Sequence, residues 1–413
     1  EIYLSRGTTY PFLYSVQDMF PDAPSGYRES EASSTLASYV DADIPEGEKL
    51  TVVGIMLEAF SDLTDFPVLD DIGVIRKIYE PLHELEERSV SGRLLTNIFA
   101  GGTVDTEWGF LTGYSKHEEF RSPVNSYVRY FKSQGYDALY RHPGYSWFYN
   151  RSNVNEYLGF DECVFNDTGF GDLISISDAL YSSDKVLVDY LLEDIDARTE
   201  ADAPLFLFSV SYQNHGPYPS ETYWEEYVTP EKNGWSMQTC CVINNYLAGI
   251  RSTVNEMCRM TEELEERDEP IVFVFFGDHK PWMGNGNSVY TEIGVDLDVS
   301  TLEGFCNYYA TPYVIYANEA ARELLGSDFA SDGGDFSPCF LMARLFDECG
   351  WEGPGFMQLQ REMREVSPLM SSNGWRMQDG QLTAALEGAA EDENERYLRA
   401  QYYIETHLKE DAS

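Results

Sequence analysis

Three uninterrupted apolar runs constrain this chain more than anything else in it: residues 49–57 (KLTVVGIML), 204–211 (PLFLFSVS) and 270–276 (PIVFVFF). Short runs rich in β-branched and aromatic residues, with no polar face, read as strands buried on both sides. Such strands need helices over each face. Segments with helical spacing lie between and around them at 72–87, 124–134, 152–158, 184–199 and 237–266. The last of these lines up Ile243, Leu247, Ile250, Val254 and Met257 on one face, and Cys258 reads as core beside them. Further strands are expected at 136–140 and 311–317, and a helix at 338–349. Parallel strands require long crossovers, which this alternation supplies. The fold class is therefore α/β, a mainly parallel sheet sandwiched by helices.

The body is expected to carry appendages. Residues 1–48 are polar and include the aromatics Tyr10, Phe12, Tyr14 and Phe20. They read as a lead-in or linker draped over the body, with a short helix near 33–39. The catalytic unit is expected over 49–318. Residues 319–413 are assigned to a C-terminal part, a smaller α+β subdomain with an acidic helical tail over 395–409.

Charge narrows the partners. The 413 residues hold 71 Asp and Glu against 28 Lys and Arg, a formal net charge of -43. Nucleic acid is bound through Lys and Arg, so this balance excludes it as a partner, and electrostatic adhesion to anionic lipid with it. With 29 Tyr and 23 Phe the chain is nonetheless no disordered acidic tail. No run approaches the roughly 18 apolar residues of a membrane span. The chain opens on Glu1 without a charged and apolar leader, and an excised or processed domain is expected. Its seven cysteines (Cys163, Cys240, Cys241, Cys258, Cys306, Cys339 and Cys349) lack C-x-x-C spacing, and their odd number leaves at least one unpaired in a monomer.

Each long apolar run ends in a polar cluster: Glu58, Asn214-His215 and Asp278-His279. Ligands of open α/β sheets sit outside the carboxyl ends of the strands, so these clusters should meet in one crevice. A fourth stretch belongs on the same rim. Gly101-Gly102-Thr103 sets two residues without Cβ before a hydroxyl, where a loop becomes a helix that closes at Gly113. Free N–H groups at such a start favour an anion. Alone, Thr103 reads as an N-cap; beside the clusters it is a candidate nucleophile. Glu58, Asp278 and His279 are candidate metal ligands, and the Thr103 oxygen completes the set. Oxygen-rich ligation with one imidazole and no thiolate suits Mn2+ or Mg2+, with Zn2+ as the alternative. His83 and His117 lie in charged stretches and read as surface residues, and His407 as part of the tail helix.

Taken together, the strand ending in Glu58, the Gly-Gly-Thr-x-Asp-x-Glu-Trp run at 101–108, Asn214-His215-Gly216-Pro217 and Gly277-Asp278-His279 resemble the lipoteichoic acid synthase family, in order and spacing, over about 51–346. The resemblance implies a sulfatase-like fold of the alkaline phosphatase superfamily. It implies an extracellular phosphoglycerol transferase of the cell wall, secreted or cut from a membrane-anchored protein. It also implies that Glu58, Thr103, Asp278 and His279 hold one Mn2+, with Thr103 as the nucleophile. From residues 142–151 it implies His142, Tyr149 and Arg151 as substrate-binding residues. His215 would face the reacting phosphate, binding substrate and taking part in catalysis. Arg151 is expected to be neither ligand nor core, so its loss should leave stability nearly unchanged.

Two departures stand out: relatives more often carry Trp where Tyr149 is, and Lys280-Pro281-Trp282 is not the commonest continuation. The Cys/Ser-x-Pro-x-Arg signature of formylglycine sulfatases is absent, which argues against sulfate-ester hydrolysis. The implied chemistry moves glycerol phosphate from the phosphatidylglycerol headgroup, through a phospho-threonine at Thr103, to a hydroxyl of a lipoteichoic acid-type polymer or glycan. The alternatives are a phosphoethanolamine transferase or phosphodiesterase of the same superfamily, or an inactive glycan- or lipid-binding domain.

Overall fold

A computed structural model describes residues 22–172, 179–200 and 203–408. Tyr10, Phe12, Tyr14 and Phe20 of the lead-in, and Lys409 of the expected tail helix, lie outside the described residues. In chain order the main sheet contains β1 (Thr51–Leu57), β2 (Val90–Leu95), β3 (Asp137–His142), β4 (Glu162–Phe165), β5 (Leu205–Val210), β6 (Ile271–Gly277), β7 (Ala310–Ala317) and β8 (Ser331–Phe336). In space they run β4-β3-β5-β1-β6-β7-β2-β8. The three apolar runs are thus the adjacent central strands, with Val52 of β1 opposite Phe206 and Val272. Only β7 is reversed, pairing antiparallel with β6 and β2.

Side chains alternate across a strand, and β1 shows both faces of the core. Val52 and Met56 join Phe208, Phe276 and Phe110 on one side. Val53, Ile55 and Leu57 join Phe273, Phe275 and Ile250 on the other. The second face is covered by the helices Gly73–Glu86, Ala179–Glu200 and Met237–Glu265, which pack side by side. The first is covered by Val104–Thr112, Tyr127–Ser133, Leu341–Cys349 and Gly355–Val366. Gly54 sets how closely the helix Val104–Thr112 approaches the sheet. A Cβ there would come within 3.0 Å of Phe208 and 3.1 Å of Phe110, which is the room that Phe110 uses.

Three strands of the main sheet differ from expectation. VSGRLL (β2) and SDGGDF (β8) lack a continuous apolar run, and ECVF (β4) is only four residues at the sheet edge. β8 lies beyond residue 318 and still joins the main sheet, pairing with β2 in parallel. The C-terminal part adds a hairpin, β9 (Arg376–Gln378) and β10 (Gln381–Thr383), and a last helix that starts earlier than its spacing predicts, at Ala389–Thr406. That helix is anchored to the body: Gln401 accepts from the Ser115 backbone and hydroxyl, and the Tyr397 hydroxyl donates to Gly113. All seven cysteines are free, and Cys258 is only half-buried. No described helix is long and apolar enough to cross a membrane.

Candidate active site

The carboxyl ends of β1, β5 and β6 deliver the three predicted clusters to one place. Glu58 follows β1, and its N–H donates to Ser211 Oγ at 3.0 Å, just past β5. Asp278 follows β6. Its Oδ1 accepts the N–H groups of Ala59 and His279 at 2.8 and 2.7 Å, tying the ends of β1 and β6 together. With Oδ1 thus occupied, Oδ2 is buried and has no hydrogen-bond partner among the described residues. His279 Nδ1 lies 3.0 Å from the Lys280 carbonyl, which fixes the proton on Nδ1. Its Nε2 is buried, unpartnered, 3.3 Å from Asp278 Oδ2 and 3.8 Å from Glu58 Oε1.

One atom from each of Glu58, Asp278 and His279 falls within 4.8 Å of the others. Two orphaned buried acceptors aimed at one point fit a divalent cation, since buried polar atoms otherwise find partners. The electrostatics agree. Burial and the Asp278 charge push the Glu58 carboxyl up. Burial opposes charging His279, but Asp278 and Glu58 outweigh it and raise its pKa.

Thr103 arrives from the other side of the crevice. Gly101 and Gly102 adopt φ of 142° and 85°, open to glycine at little cost, and Ala100 before them is also left-handed at 59°. Two bonds hold this turn over the Glu58, Asp278 and His279 cluster. Ala100 N–H donates to the Lys280 carbonyl at 3.2 Å, and Thr106 Oγ1 to the Asp278 carbonyl at 2.7 Å. Thr103 occupies the N-cap position of the helix Val104–Thr112 yet makes no side-chain cap bond. Its Oγ1 points instead at Glu58 Oε2, 3.5 Å away. The N-cap account of this threonine therefore fails.

The predicted substrate residues gather around it. His142 ends β3, is buried, and holds the Val210 carbonyl at 2.8 Å through Nδ1. Burial and the Arg151 charge keep its pKa well below normal, so it is a neutral ring with Nε2 as acceptor. His215, half-buried, sits on Tyr212 with ring centroids 5.2 Å apart, its Nδ1 2.7 Å from the Gly216 carbonyl. Tyr149, left-handed at φ 54°, accepts the Gly102 N–H on its hydroxyl at 3.2 Å and lies 5.3 Å from the Arg151 guanidinium.

Arg151 differs from expectation. Its side chain is 2% exposed and pairs with Glu107, itself fully buried, through Nη2 and Nε at 2.8 and 3.1 Å. Burial works against this cation, and Glu107 more than restores it. Arg151 is therefore part of the core as well as the site; its bonds to Glu107 run through Nε and Nη2, not Nη1. Glu107 also accepts from the Tyr140 hydroxyl at 2.9 Å. Glu107 stands in the motif at 101–108 with no role predicted for it, although a carboxylate one turn after Thr103 shares its helix face. Lys280 is a second omission. It is buried with Nζ on Ser61 Oγ at 2.9 Å, and its carbonyl supports Ala100. Of the histidines read as surface, His83 is bonded to Asp62 at 2.6 Å, and His117 packs against Trp108 and Phe120.

The profile of the family described as Sulfatase matches residues 51–347, most of the chain and every strand of the main sheet. This chain belongs to the sulfatase family. Among solved structures, the sulfatase-family chain resembles Streptococcus pyogenes phosphoglycerol transferase GacH in complex with sn-glycerol-1-phosphate, with a TM-score of 0.62, 18% identity, and 92% of this chain and 94% of that one covered. It also resembles the lipoteichoic acid synthase LtaP of Listeria monocytogenes, with a TM-score of 0.60, 16% identity, and 91% and 96% covered. Among curated proteins, a Rhizobium meliloti protein provisionally named for cyclic beta-1,2-glucan modification is 24% identical over 369 residues, 86% of this chain and 54% of its own length. The chain spans about half the length of the curated relatives it matches. The solved neighbours share the fold described above.

Proposed function

We propose that this sulfatase-family chain is a metal-dependent phosphoglycerol transferase acting at the extracellular face of a membrane. The reading has it move glycerol phosphate from phosphatidylglycerol to a hydroxyl of a glycan or lipoteichoic acid-type polymer. One observation carries it: an uncapped Thr103 Oγ1 directed at Glu58 beside the orphaned Asp278 Oδ2 and His279 Nε2. Glu58, Thr103, Asp278 and His279 would hold the ion, Mn2+ with Mg2+ or Zn2+ as alternatives. Such an ion lowers the pKa of a coordinated hydroxyl and offsets phosphate charge.

The residues of the chain divide the remaining work. Thr103 Oγ loses its proton and bonds to phosphorus as the bond from phosphorus to the diacylglycerol oxygen breaks. That oxygen leaves with a proton, for which His215 is the donor. An acceptor hydroxyl then gives its proton to His215, restoring it, and bonds to phosphorus, and Thr103 Oγ leaves and takes back from solvent the proton it lost. Arg151 Nη1 steadies the non-bridging oxygens. His142, neutral and with Nε2 as acceptor, takes a glycerol hydroxyl, and Tyr149 walls the headgroup. Residues 49–318 provide this catalytic unit, with β8 as an added edge strand, and 319–413 the C-terminal part.

Support for a glycan acceptor comes from the names of two Rhizobium meliloti relatives. One concerns cyclic beta-1,2-glucan, and the other is the capsular polysaccharide biosynthesis protein RkpI, 27% identical over 264 residues. The test is incubation with phosphatidylglycerol and Mn2+. Diacylglycerol release and a glycerophosphate adduct on Thr103 are expected, both lost in Thr103→Ala. Release from phosphatidylethanolamine alone would replace the headgroup; release without an adduct would remove the covalent route.

A further inference from the structure

The loop that leaves β3 carries four rings joined by three successive contacts, and the chemistry above uses only the last of them, Tyr149. Tyr145 and Trp147 are stacked with centroids 5.8 Å apart and planes at 23°. Trp147 meets Phe148 edge-on at 5.8 Å, and Phe148 meets Tyr149 at 4.4 Å. Tyr149 touches Gly102, the residue before Thr103. The rings therefore form an unbroken tract from the nucleophile's loop to the surface, where Trp147 is 67% and Phe148 41% exposed. Single exposed aromatics need no explanation, but a contiguous tract opening on a reactive hydroxyl does.

The tract is held in place. Ser146 gives its N–H and hydroxyl to Asp167 at 3.0 and 2.6 Å. Asn150 donates to Glu119 at 3.0 Å and accepts from Asn153 at 2.6 Å. Two successive left-handed residues, Tyr149 and Asn150, present the rings between these anchors.

We infer that Tyr145, Trp147 and Phe148, leading outward from the headgroup wall Tyr149, are the platform on which the acceptor lies, and that the acceptor is a neutral glycan. The inference rests on the transferase reading and adds the surface that chooses the second substrate. Aromatic faces attract the polarised C–H face of a pyranose ring. The flanking carboxylates, Asp167 and Glu119, accept hydrogen bonds from sugar hydroxyls. The loop has no Lys or Arg between residues 142 and 150, so the tract itself lacks the cations that would hold it on anionic lipid. A sugar laid along the tract brings a hydroxyl to the loaded Thr103. That hydroxyl loses its proton and bonds to phosphorus as the bond to Thr103 Oγ breaks, and Oγ takes a proton back.

The test uses the full chain and a neutral β-linked gluco-oligosaccharide, titrated by calorimetry without donor lipid. Saturable binding is expected, weakened roughly tenfold or more in Trp147→Ala, the scale of one ring contact, and largely kept in Trp147→Phe. In turnover, the ratio of transfer to hydrolysis falls in Trp147→Ala. No binding, or equal binding by parent and Trp147→Ala, overturns the inference. So does flotation with phosphatidylglycerol vesicles that Trp147→Ala abolishes, which would make the tract a lipid contact. Failure of the transferase reading shows separately, as absence of diacylglycerol release with oligosaccharide binding intact.

Discussion

Replacing Arg151 with alanine tests whether the site is held by a buried ion pair. Both side chains are out of water, Arg151 at 2% and Glu107 at 0% exposure, and two guanidinium nitrogens reach one carboxylate oxygen. Without the cation, Glu107 stays buried with the Tyr140 hydroxyl as its remaining donor. The bare Coulomb energy overstates the loss, because the pair was itself costly to desolvate. Breaking such a pair from one side costs about 3–5 kcal/mol. At about 1.4 kcal/mol per tenfold, that is roughly two to three and a half decades in the folding equilibrium. The assay is urea unfolding in EDTA, so that ion binding does not enter. Adding Glu107→Gln to Arg151→Ala should recover about 2 kcal/mol or more, because the uncompensated charge is gone. An Arg151→Ala variant within about 1 kcal/mol of the parent, or a second substitution that recovers nothing, would refute the pairing argument. Turnover per folded molecule should also fall, by about 2–4 kcal/mol in the transition state, and Arg151→Lys should restore little of it for want of the planar fork.

Gly54→Ala should cost about 1–3 kcal/mol by overpacking, and should lower turnover beyond what unfolding explains, because the new methyl presses on Phe110 of the helix that carries Thr103; unchanged turnover in the folded fraction would detach that helix from the nucleophile's placement. Asp184 is buried beneath Thr253, whose hydroxyl bonds it at 2.6 Å, and burial raises its carboxyl to about 6. The folded state thus binds this proton more tightly than the unfolded chain, so the stability it contributes is full below about pH 4 and lost as pH rises through about 6, some 3 kcal/mol in all. Asp184→Asn should therefore gain on the parent between about pH 4 and pH 7.5, as read by urea midpoints, and a difference that does not change with pH would refute the assignment.

What the sequence disclosed follows from what is continuous in it. The central strands were legible because burial on both faces demands an unbroken apolar run, and Val52 to Leu57 obey that demand on both sides of the sheet. Glu58, Asp278 and His279 were legible because each stands at the end of such a run. β2 and β8 were not, since a strand near a sheet edge tolerates Gly, Arg and Asp, and its partners are far away in sequence: Gly92 pairs with Tyr313 and Gly334. The role of Glu107 was hidden for a related reason. A buried carboxylate is identified by the cation that reaches it, and Arg151 lies 44 residues further along the chain.

Ion binding at the Glu58, Asp278 and His279 cluster can be measured. Glu58 and Asp278 face each other in the interior, and the positive groups near them are already committed: Arg151 holds Glu107 by its fork, and His279 gives its Nδ1 proton to Lys280. Burial and mutual repulsion push the Glu58 carboxyl up, so the folded chain must either keep a proton there or admit a cation. The unfolded chain cannot assemble these ligands, and an ion that binds only the folded form stabilises it by RT ln(1 + [M]/Kd), about 2.7 kcal/mol at a hundredfold excess over Kd. Mn2+ should accordingly raise the unfolding midpoint above its EDTA value, in step with the logarithm of its concentration. The gain should shrink as pH falls, because protons compete for the same carboxylates. Glu58→Gln should remove most of the gain while sparing the EDTA baseline, since the amide no longer needs a counter-charge. A midpoint indifferent to Mn2+, Mg2+ and Zn2+ alike would leave a shared proton as the occupant of this cluster, and Thr103 would then lack the means of becoming an alkoxide.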